Sequence, residues 1–112
     1  MNDIIKYTGS TEVTERALRI DELTDFFISS QDVKDSSKRL YRRTLRQYFN
    51  WVRDHRLQLE SLTRADILKY KEDLLSSGMS SLSVGSYITA VRKFYQWAEG
   101  NKFYPNIAKD VK

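Results

Sequence analysis

The sequence predicts an all-α fold, a small bundle of amphipathic helices. Two long stretches of the 112-residue chain repeat apolar residues at every third or fourth position, which is the helical period. The one candidate strand, residues 4–7, has no partner strand. Because the chain has no cysteine, neither a disulfide framework nor a thiolate metal site is expected. A chain of this length forms one domain that buries roughly two-thirds of its unfolded surface.

The first 19 residues show no sustained period, and we expect a flexible N-terminal segment over 1–19. The first helix is predicted from Ile20 to about Ser30, with Asp21 or Thr24 as its cap. Its apolar stripe consists of Leu23, Phe26 and Phe27. Acidic residues crowd its first turn, where the helix dipole favours them. We expect this helix to pack in the bundle and not to recognise a ligand.

The second predicted helix, residues 36–55, is the most amphipathic part of the chain. Ser36 or Ser37 is its expected N-cap. At about 100° per residue, one line holds apolar side chains and the opposite arc holds mainly arginines. The apolar line contains Tyr41, Leu45, Tyr48 and Val52, and the polar arc contains Arg39, Arg42, Arg43, Arg46, Asn50 and Arg53.

Charge is concentrated in this same stretch. Residues 36–55 hold six cations against one acid, a net +5, whereas the whole chain carries +4, so all other residues sum to −1. Five of the six cations are arginines, whose planar guanidinium can bind phosphate or guanine through two hydrogen bonds. A purely solvated helix usually interleaves acids with its bases. The missing counter-charges therefore favour nucleic acid over a plain solvated face.

A third helix is predicted after a short loop, residues 56–62, whose leucines can pack beneath the bundle. Thr63 and Asp66 have the spacing of a capping box. The side chains expected to face inward are Ile67, Tyr70, Leu74 and Leu75. Gly78 is suited to end this helix in a left-handed conformation.

The fourth helix is predicted from Ser81 or Ser83 to Glu99, with Gly100 and Asn101 ending it. Its apolar stripe is Val84, Ile88, Val91, Tyr95 and Ala98. The opposite arc combines small polar residues and cations, which suit base edges and phosphates, and Gly85 would allow a close approach. A plain polar surface is the alternative for this arc taken alone.

The segments Tyr41-Arg42-Arg43-Thr44-Leu45-Arg46-Gln47-Tyr48, Leu62-Thr63-Arg64-Ala65-Asp66-Ile67, Leu74-Leu75 with Gly78-Met79-Ser80, and Val91-Arg92-Lys93-Phe94-Tyr95-Gln96-Trp97-Ala98 occur in that order. Together they resemble the core-binding domain of the tyrosine recombinases, the phage integrase family, over about residues 20 to 112. The resemblance implies a compact four-helix, SAM-like bundle whose second and fourth helices approach the major groove. The DNA-binding positions it implies are Ser37, Lys38, Arg39, Arg42, Arg43, Arg46, Ser83, Ser86, Thr89, Arg92 and Lys93.

The resemblance also implies the surroundings of this domain. Residues 20–104 would form the DNA-binding domain, and residues 105–112 would begin a linker to a catalytic domain. The implied partners are a double-stranded DNA recombination site, the catalytic domain of the same chain and other recombinase protomers in a tetramer on DNA. The family often has Asn-Pro-Ala where this chain has Asn106-Ile107-Ala108, which leaves the stiffness of the linker open.

No enzymatic role is expected for this stretch. The family cleaves DNA with a tyrosine nucleophile aided by arginine, lysine and a His-x-x-Arg element, and the single histidine, His55, is followed by Arg56-Leu57-Gln58. No catalytic residue, metal or cofactor is therefore predicted. A membrane span and a secretory signal are not expected either, so the location should be cytoplasmic. The main alternative function is a helical protein-interaction module whose basic face binds an acidic partner; a helix-turn-helix repressor ranks last.

Overall fold

The computed structural model describes the backbone of residues 9–112 and the side chains of residues 20–112. Its elements are the helices α1 (Gly9–Ser30), α2 (Asp35–Asp54), α3 (Arg64–Ser76) and α4 (Ser81–Gly100), with a short 3₁₀ helix at Leu59–Ser61 between α2 and α3. No strand occurs between residues 9 and 112. The predicted all-helical bundle class is confirmed.

The chain divides into two compact units, with the boundary between Asp32 and Val33. The first unit contains α1, which begins at Gly9 and not near Ile20. The extra turns include residues 12–19, which are rich in the helix formers Glu, Arg, Ala and Leu. The candidate strand over residues 4–7 and the start of the predicted flexible segment lie outside the described residues.

The apolar stripe predicted for α1 is partly wrong. Phe27 is buried, but Phe26 remains 65% exposed. Asp21 and Thr24 are both interior residues of α1, which begins at Gly9, so neither is its cap. The hydroxyl of Thr24 donates to the carbonyl oxygen of Ile20 at 2.9 Å. A threonine hydroxyl that bonds back four residues along a helix satisfies its own polar group without leaving the helix.

In the second unit, α2 packs against α4. Of the predicted inward residues of α2, Leu45, Tyr48 and Val52 are buried, whereas Tyr41 is only half-buried. All five predicted stripe residues of α4 are also buried, namely Val84, Ile88, Val91, Tyr95 and Ala98. The helical spacing of apolar residues therefore located the interface between these two helices. The cap of α2 differs from the prediction, since the helix begins at Asp35 and Lys34 occupies the N-cap position.

Helix α3 covers the core with its first turns. The backbone N–H of Thr63 donates to the carboxylate of Asp66 at 2.8 Å, as expected for a capping box in which Asp replaces Glu. Ile67 and Tyr70 are buried as predicted, but Leu75 is 42% exposed. Residues 67, 70 and 74 follow one line along the helix, and residue 75 lies about 100° beyond that line.

Three of the connecting turns depend on positive backbone φ angles. Gly78 has φ +94°, as predicted for the end of α3, whereas Arg56 and Lys102 adopt φ +57° and +62° after α2 and α4. At the end of α4, the N–H of Phe103 donates to the carbonyl of Ala98 at 2.8 Å and that of Lys102 to Glu99 at 3.0 Å. This pair of bonds is a Schellman motif built without glycine.

The last residues of the chain lie against α3 and α4. Ala108 and Val111 are buried, and the guanidinium of Arg92 donates to the carbonyl of Val111 at 3.3 Å. Arg64 and Lys71 donate to the carbonyls of Lys109 and Lys112. Residues 105–112 are thus docked on the second unit, and their continuation into a linker stays a prediction.

Candidate nucleic-acid interface

The polar arc of α2 is formed by side chains that the core leaves outside. Because Leu45, Tyr48 and Val52 face inward, residues half a turn away are directed outward. Arg39, Arg43 and Arg46 are exposed, and Ser37, Lys38 and Arg42 are partly exposed. Thr44 lies at the edge of the core, where its hydroxyl donates to the carbonyl of Leu40 at 2.9 Å. All six predicted positions on this helix are therefore accessible to some degree.

Arg39, Arg43 and Arg46 have no carboxylate partner among the side chains of residues 20–112. Other cations of the same unit do have one. Lys69 lies 3.2 Å from the carboxylate of Asp73, and Arg53 lies 3.4 Å from that of Asp54. Three uncompensated guanidiniums on consecutive turns of one helix create a local positive potential. Such a potential attracts polyanions and is screened by salt.

The polar arc of α4 carries fewer charged side chains than that of α2 and more hydroxyl groups. Ser83, Ser86, Arg92 and Lys93 are exposed, and Thr89 is half-buried. Three of these residues already make contacts within the chain. The N–H of Ser83 donates to the hydroxyl of Ser80 at 3.2 Å, the hydroxyl of Ser86 donates to the carbonyl of Leu82 at 3.4 Å, and Arg92 donates to the carbonyl of Val111. Arginine has five N–H donors, so the bond to Val111 leaves others for a ligand.

The eleven predicted positions thus lie on two helices of one compact unit that pack through their opposite, apolar faces. The ring centroids of Phe49 and Phe94 lie 5.3 Å apart, and those of Tyr48 and Tyr95 lie 6.1 Å apart. These aromatic contacts fix the two helices against each other. That both arcs bind one ligand stays a prediction.

A cluster around Asp73 was not foreseen from the sequence. The indole N–H of Trp51 donates to its carboxylate at 2.9 Å, and Nε2 of His55 lies 3.7 Å away. The hydrogen bond from Trp51, with smaller contributions from Lys69 and His55, lowers the pKa of Asp73. Since Trp51 and Asp73 are 22 residues apart on different helices, no local spacing could have revealed the contact. The cluster joins α2 to α3 and is structural.

His55 lies where the sequence placed it, at the C-terminal end of α2. It is the C-cap residue, and its Nδ1 lies 2.9 Å from the carbonyl oxygen of Trp51. Its ring also stacks against the Trp51 indole, with centroids 4.4 Å apart. These contacts give the histidine a structural role at the end of α2.

One exposed residue of α4 was overlooked in the sequence. Leu82, in the first helical turn, is 85% exposed. Nearby, Gly85 has open space around the position of a side-chain carbon, since nothing lies within 4 Å of it. No contact within the described unit therefore demands glycine there, and the predicted role in a close external approach remains a prediction.

Neither a metal-binding cluster nor a membrane-spanning helix is present in the part of the chain that the structure describes. No group of three or more His, Asp or Glu side chains in that range is arranged to hold a metal ion. None of the described helices combines the length and the apolar character required to cross a bilayer.

The fold and the basic face define a small all-helical domain with one arginine-rich helix. Comparison with protein-family models matches residues 20–102 to the phage integrase N-terminal SAM-like domain. The chain therefore belongs to the phage integrase family and contains that domain, as its sequence resemblance indicated. No curated protein and no solved structure gave a match.

Proposed function

We propose that this chain binds double-stranded DNA site-selectively, as the core-binding domain of a tyrosine recombinase. In this role it would hold one side of a recombination site during DNA integration or recombination. Strand breakage and rejoining through a 3′-phosphotyrosine would be performed by a separate catalytic domain, and other protomers would complete a tetramer on the paired sites.

The observation that carries this proposal is the row of unpaired arginines on α2. Arg39, Arg43 and Arg46 are exposed and have no acidic partner among residues 20–112. Arginine suits phosphate because its fork can donate two parallel hydrogen bonds. Phosphate contacts provide most of the affinity for DNA and fix the orientation of a protein on the duplex.

The polar arc of α4, a helix that packs against α2 through aromatic side chains, also supports the proposal. Its exposed serines and Lys93 provide donors for base edges and phosphates. A protein that recognises a particular DNA sequence combines contacts to phosphates with contacts to bases. An arginine-rich helix packed against a hydroxyl-rich helix supplies both kinds of group.

Three of the seven tyrosines are too deeply buried to act as the nucleophile that cleaves DNA. Tyr48, Tyr70 and Tyr95 have 0%, 2% and 1% of their surface exposed. Burial raises the pKa of each of these phenols above its ordinary value. A nucleophile must reach the phosphorus atom and lose its proton, and both conditions are unfavourable for these three side chains.

The proposal is tested by removing the three arginines together and measuring binding to duplex DNA over a range of salt concentrations. The matched control, Lys69→Ala with Lys102→Ala and Lys109→Ala, removes the same three charges from exposed positions outside α2 and α4. Each phosphate contact contributes about −0.9 to the slope of log K against log salt. The variant Arg39→Ala/Arg43→Ala/Arg46→Ala should flatten that slope by about 2.7, and the control should change it much less.

Equal effects of the two triple variants would mean that only net charge matters, and the proposed interface on α2 would be rejected. Absence of any salt-dependent binding by the unaltered chain would reject DNA binding itself. It would favour the alternative, an acidic protein partner for the basic face. Circular dichroism and urea unfolding of each variant check that the helical fold is retained.

A further inference from the structure

Leu82 is the most exposed large apolar side chain among residues 20–112. It is 85% exposed, against 65% for Phe26 and 46% or less for Phe103, Leu68 and Leu75. In a helix each side chain leans towards the preceding turn. Leu82 is in the first turn of α4, so no preceding turn is available to cover it.

The backbone around Leu82 is well fixed in spite of this exposure. The hydroxyl of Ser80 accepts from the N–H of Ser83 at 3.2 Å and caps the helix. Two positions further, Val84 is buried in the core. The side chain of Leu82 therefore projects from a helix terminus whose backbone is already ordered. A contact made by this side chain would require little further ordering of the backbone.

Leu82 belongs to the polar arc proposed to face DNA. Ser86, Thr89 and Lys93 follow it at spacings of 4, 3 and 4 residues, which places all four on one side of α4. The other three side chains carry hydroxyl or ammonium groups that can bind bases or phosphates. A leucine cannot bind a phosphate, so the contact that it can make from this arc is one with an apolar group of the ligand.

We propose that Leu82 contacts the C5-methyl group of a thymine in the major groove. This inference rests on the proposed DNA-binding function and adds a source of sequence selectivity to it. In the major groove the thymine methyl is the apolar group by which a T·A pair differs from the other pairs, and aliphatic side chains recognise it by excluding water. The N-terminal turn of a helix can approach base edges directly when it enters that groove.

A protein partner fits this residue less well. Apolar docking surfaces are contiguous, whereas the neighbours of Leu82 on this side of α4 are serine, threonine and lysine. One leucine among hydrogen-bonding and cationic groups matches a base edge, which presents a methyl group beside acceptors, with phosphates nearby.

The experiment starts with selection of preferred duplexes from a randomised pool by the unaltered 112-residue chain. Each thymine of the selected site is then replaced by deoxyuridine, which lacks only the methyl group, and affinities are measured for the unaltered chain and for Leu82→Ala. Leu68→Ala, which removes an exposed leucine from α3, is the matched control.

At one thymine, removal of the methyl should weaken binding of the unaltered chain and of Leu68→Ala about four-fold, the effect of one methyl-sized group. Leu82→Ala should bind the thymine and deoxyuridine duplexes equally. If every thymine can be replaced without effect, or if Leu82→Ala keeps the full loss, the contact is disproved while DNA binding stands. If no duplex is selected or bound at all, the proposed function fails, and the contact fails with it.

Discussion

The hydroxyl oxygens of Tyr48 and Tyr95 lie 2.7 Å apart in the core, where α2 packs against α4. Both side chains are almost completely buried, at 0% and 1% exposure. Either oxygen can donate in this hydrogen bond, and the other oxygen then accepts. This contact joins the helix that carries the arginines to the helix that carries the hydroxyl groups.

Removing both hydroxyls of this pair should destabilise the protein by less than the sum of the two single removals. Tyr48→Phe leaves the Tyr95 hydroxyl buried without this partner, which costs about 1 to 3 kcal/mol, and the converse holds for Tyr95→Phe. In the double variant no polar group is stranded, so the loss should be smaller than the sum of the two single losses. Urea unfolding of the four proteins measures the coupling. Strict additivity would show that the two hydroxyls do not depend on each other.

The same buried phenols predict a loss of stability at alkaline pH. Burial is the main cause that raises the pKa of Tyr48, Tyr70 and Tyr95 above the ordinary value of 10.0. Above that value the unfolded chain loses phenolic protons that the folded chain keeps, so the free energy of unfolding should fall as pH rises. The contribution of these groups is complete below about pH 10.

Urea midpoints measured from neutral pH to about one unit above the ordinary tyrosine pKa would test this expectation. The Tyr48→Phe/Tyr95→Phe variant lacks two of the three buried phenols and should lose less stability over that range than the unaltered chain. Tyr41→Phe, at a half-buried position of α2, is the control. A stability profile that is flat above the ordinary pKa would contradict the expectation.

Two turns with positive φ should respond oppositely to substitution. Gly78 has φ +94° and open space around it, so Gly78→Ala should cost about 1 kcal/mol from backbone strain alone. Lys102 adopts φ +62° with a side chain, so Lys102→Gly should relieve strain and stabilise by about 0.5 kcal/mol. Lys102→Ala separates charge from conformation, because it removes the ammonium and keeps the strain. Thermal or urea unfolding gives all three values, and a stabilising Lys102→Ala would assign the effect to charge.

Much of this fold could be predicted because it depends on residues that are close to one another in the sequence. The stripe from Val84 to Ala98, the inward line of α2 and the capping box at Thr63 depend on spacings of three or four residues. The structure confirms them, except that Tyr41 of the inward line is only half-buried. Gly78 was predictable for the same reason, since a helix end commonly needs a left-handed residue. The turns at Arg56 and Lys102 were not predicted, because residues with side chains rarely adopt that conformation.

The wrong or missing predictions concern side chains whose burial depends on tertiary contacts. No spacing shows that Phe26 is exposed or that Ala108 and Val111 are buried, since the surfaces that cover or expose them come from distant parts of the chain. For the candidate interface, the sequence located the three exposed arginines of α2 that have no acidic partner among residues 20–112, namely Arg39, Arg43 and Arg46. It did not show that Arg92 donates to the Val111 carbonyl, and Leu82 was missed because an apolar residue in a polar arc fits neither pattern.

The Asp73 cluster predicts a loss of stability in acid. The hydrogen bond from Trp51, together with Lys69 and His55, lowers the pKa of the Asp73 carboxyl below its ordinary 3.8. A carboxylate favoured in the folded state stabilises the protein above that value and loses its effect as pH falls through the lowered pKa. Asp73→Asn cannot ionise, so its stability should depend less on pH between about 3 and 5. Asp54→Asn, which removes a carboxylate that pairs with its exposed neighbour Arg53, is the control. Urea midpoints across this range should show a shallower slope for Asp73→Asn than for Asp54→Asn, and equal slopes would mean that the contact with Trp51 does not hold the carboxylate in its charged form.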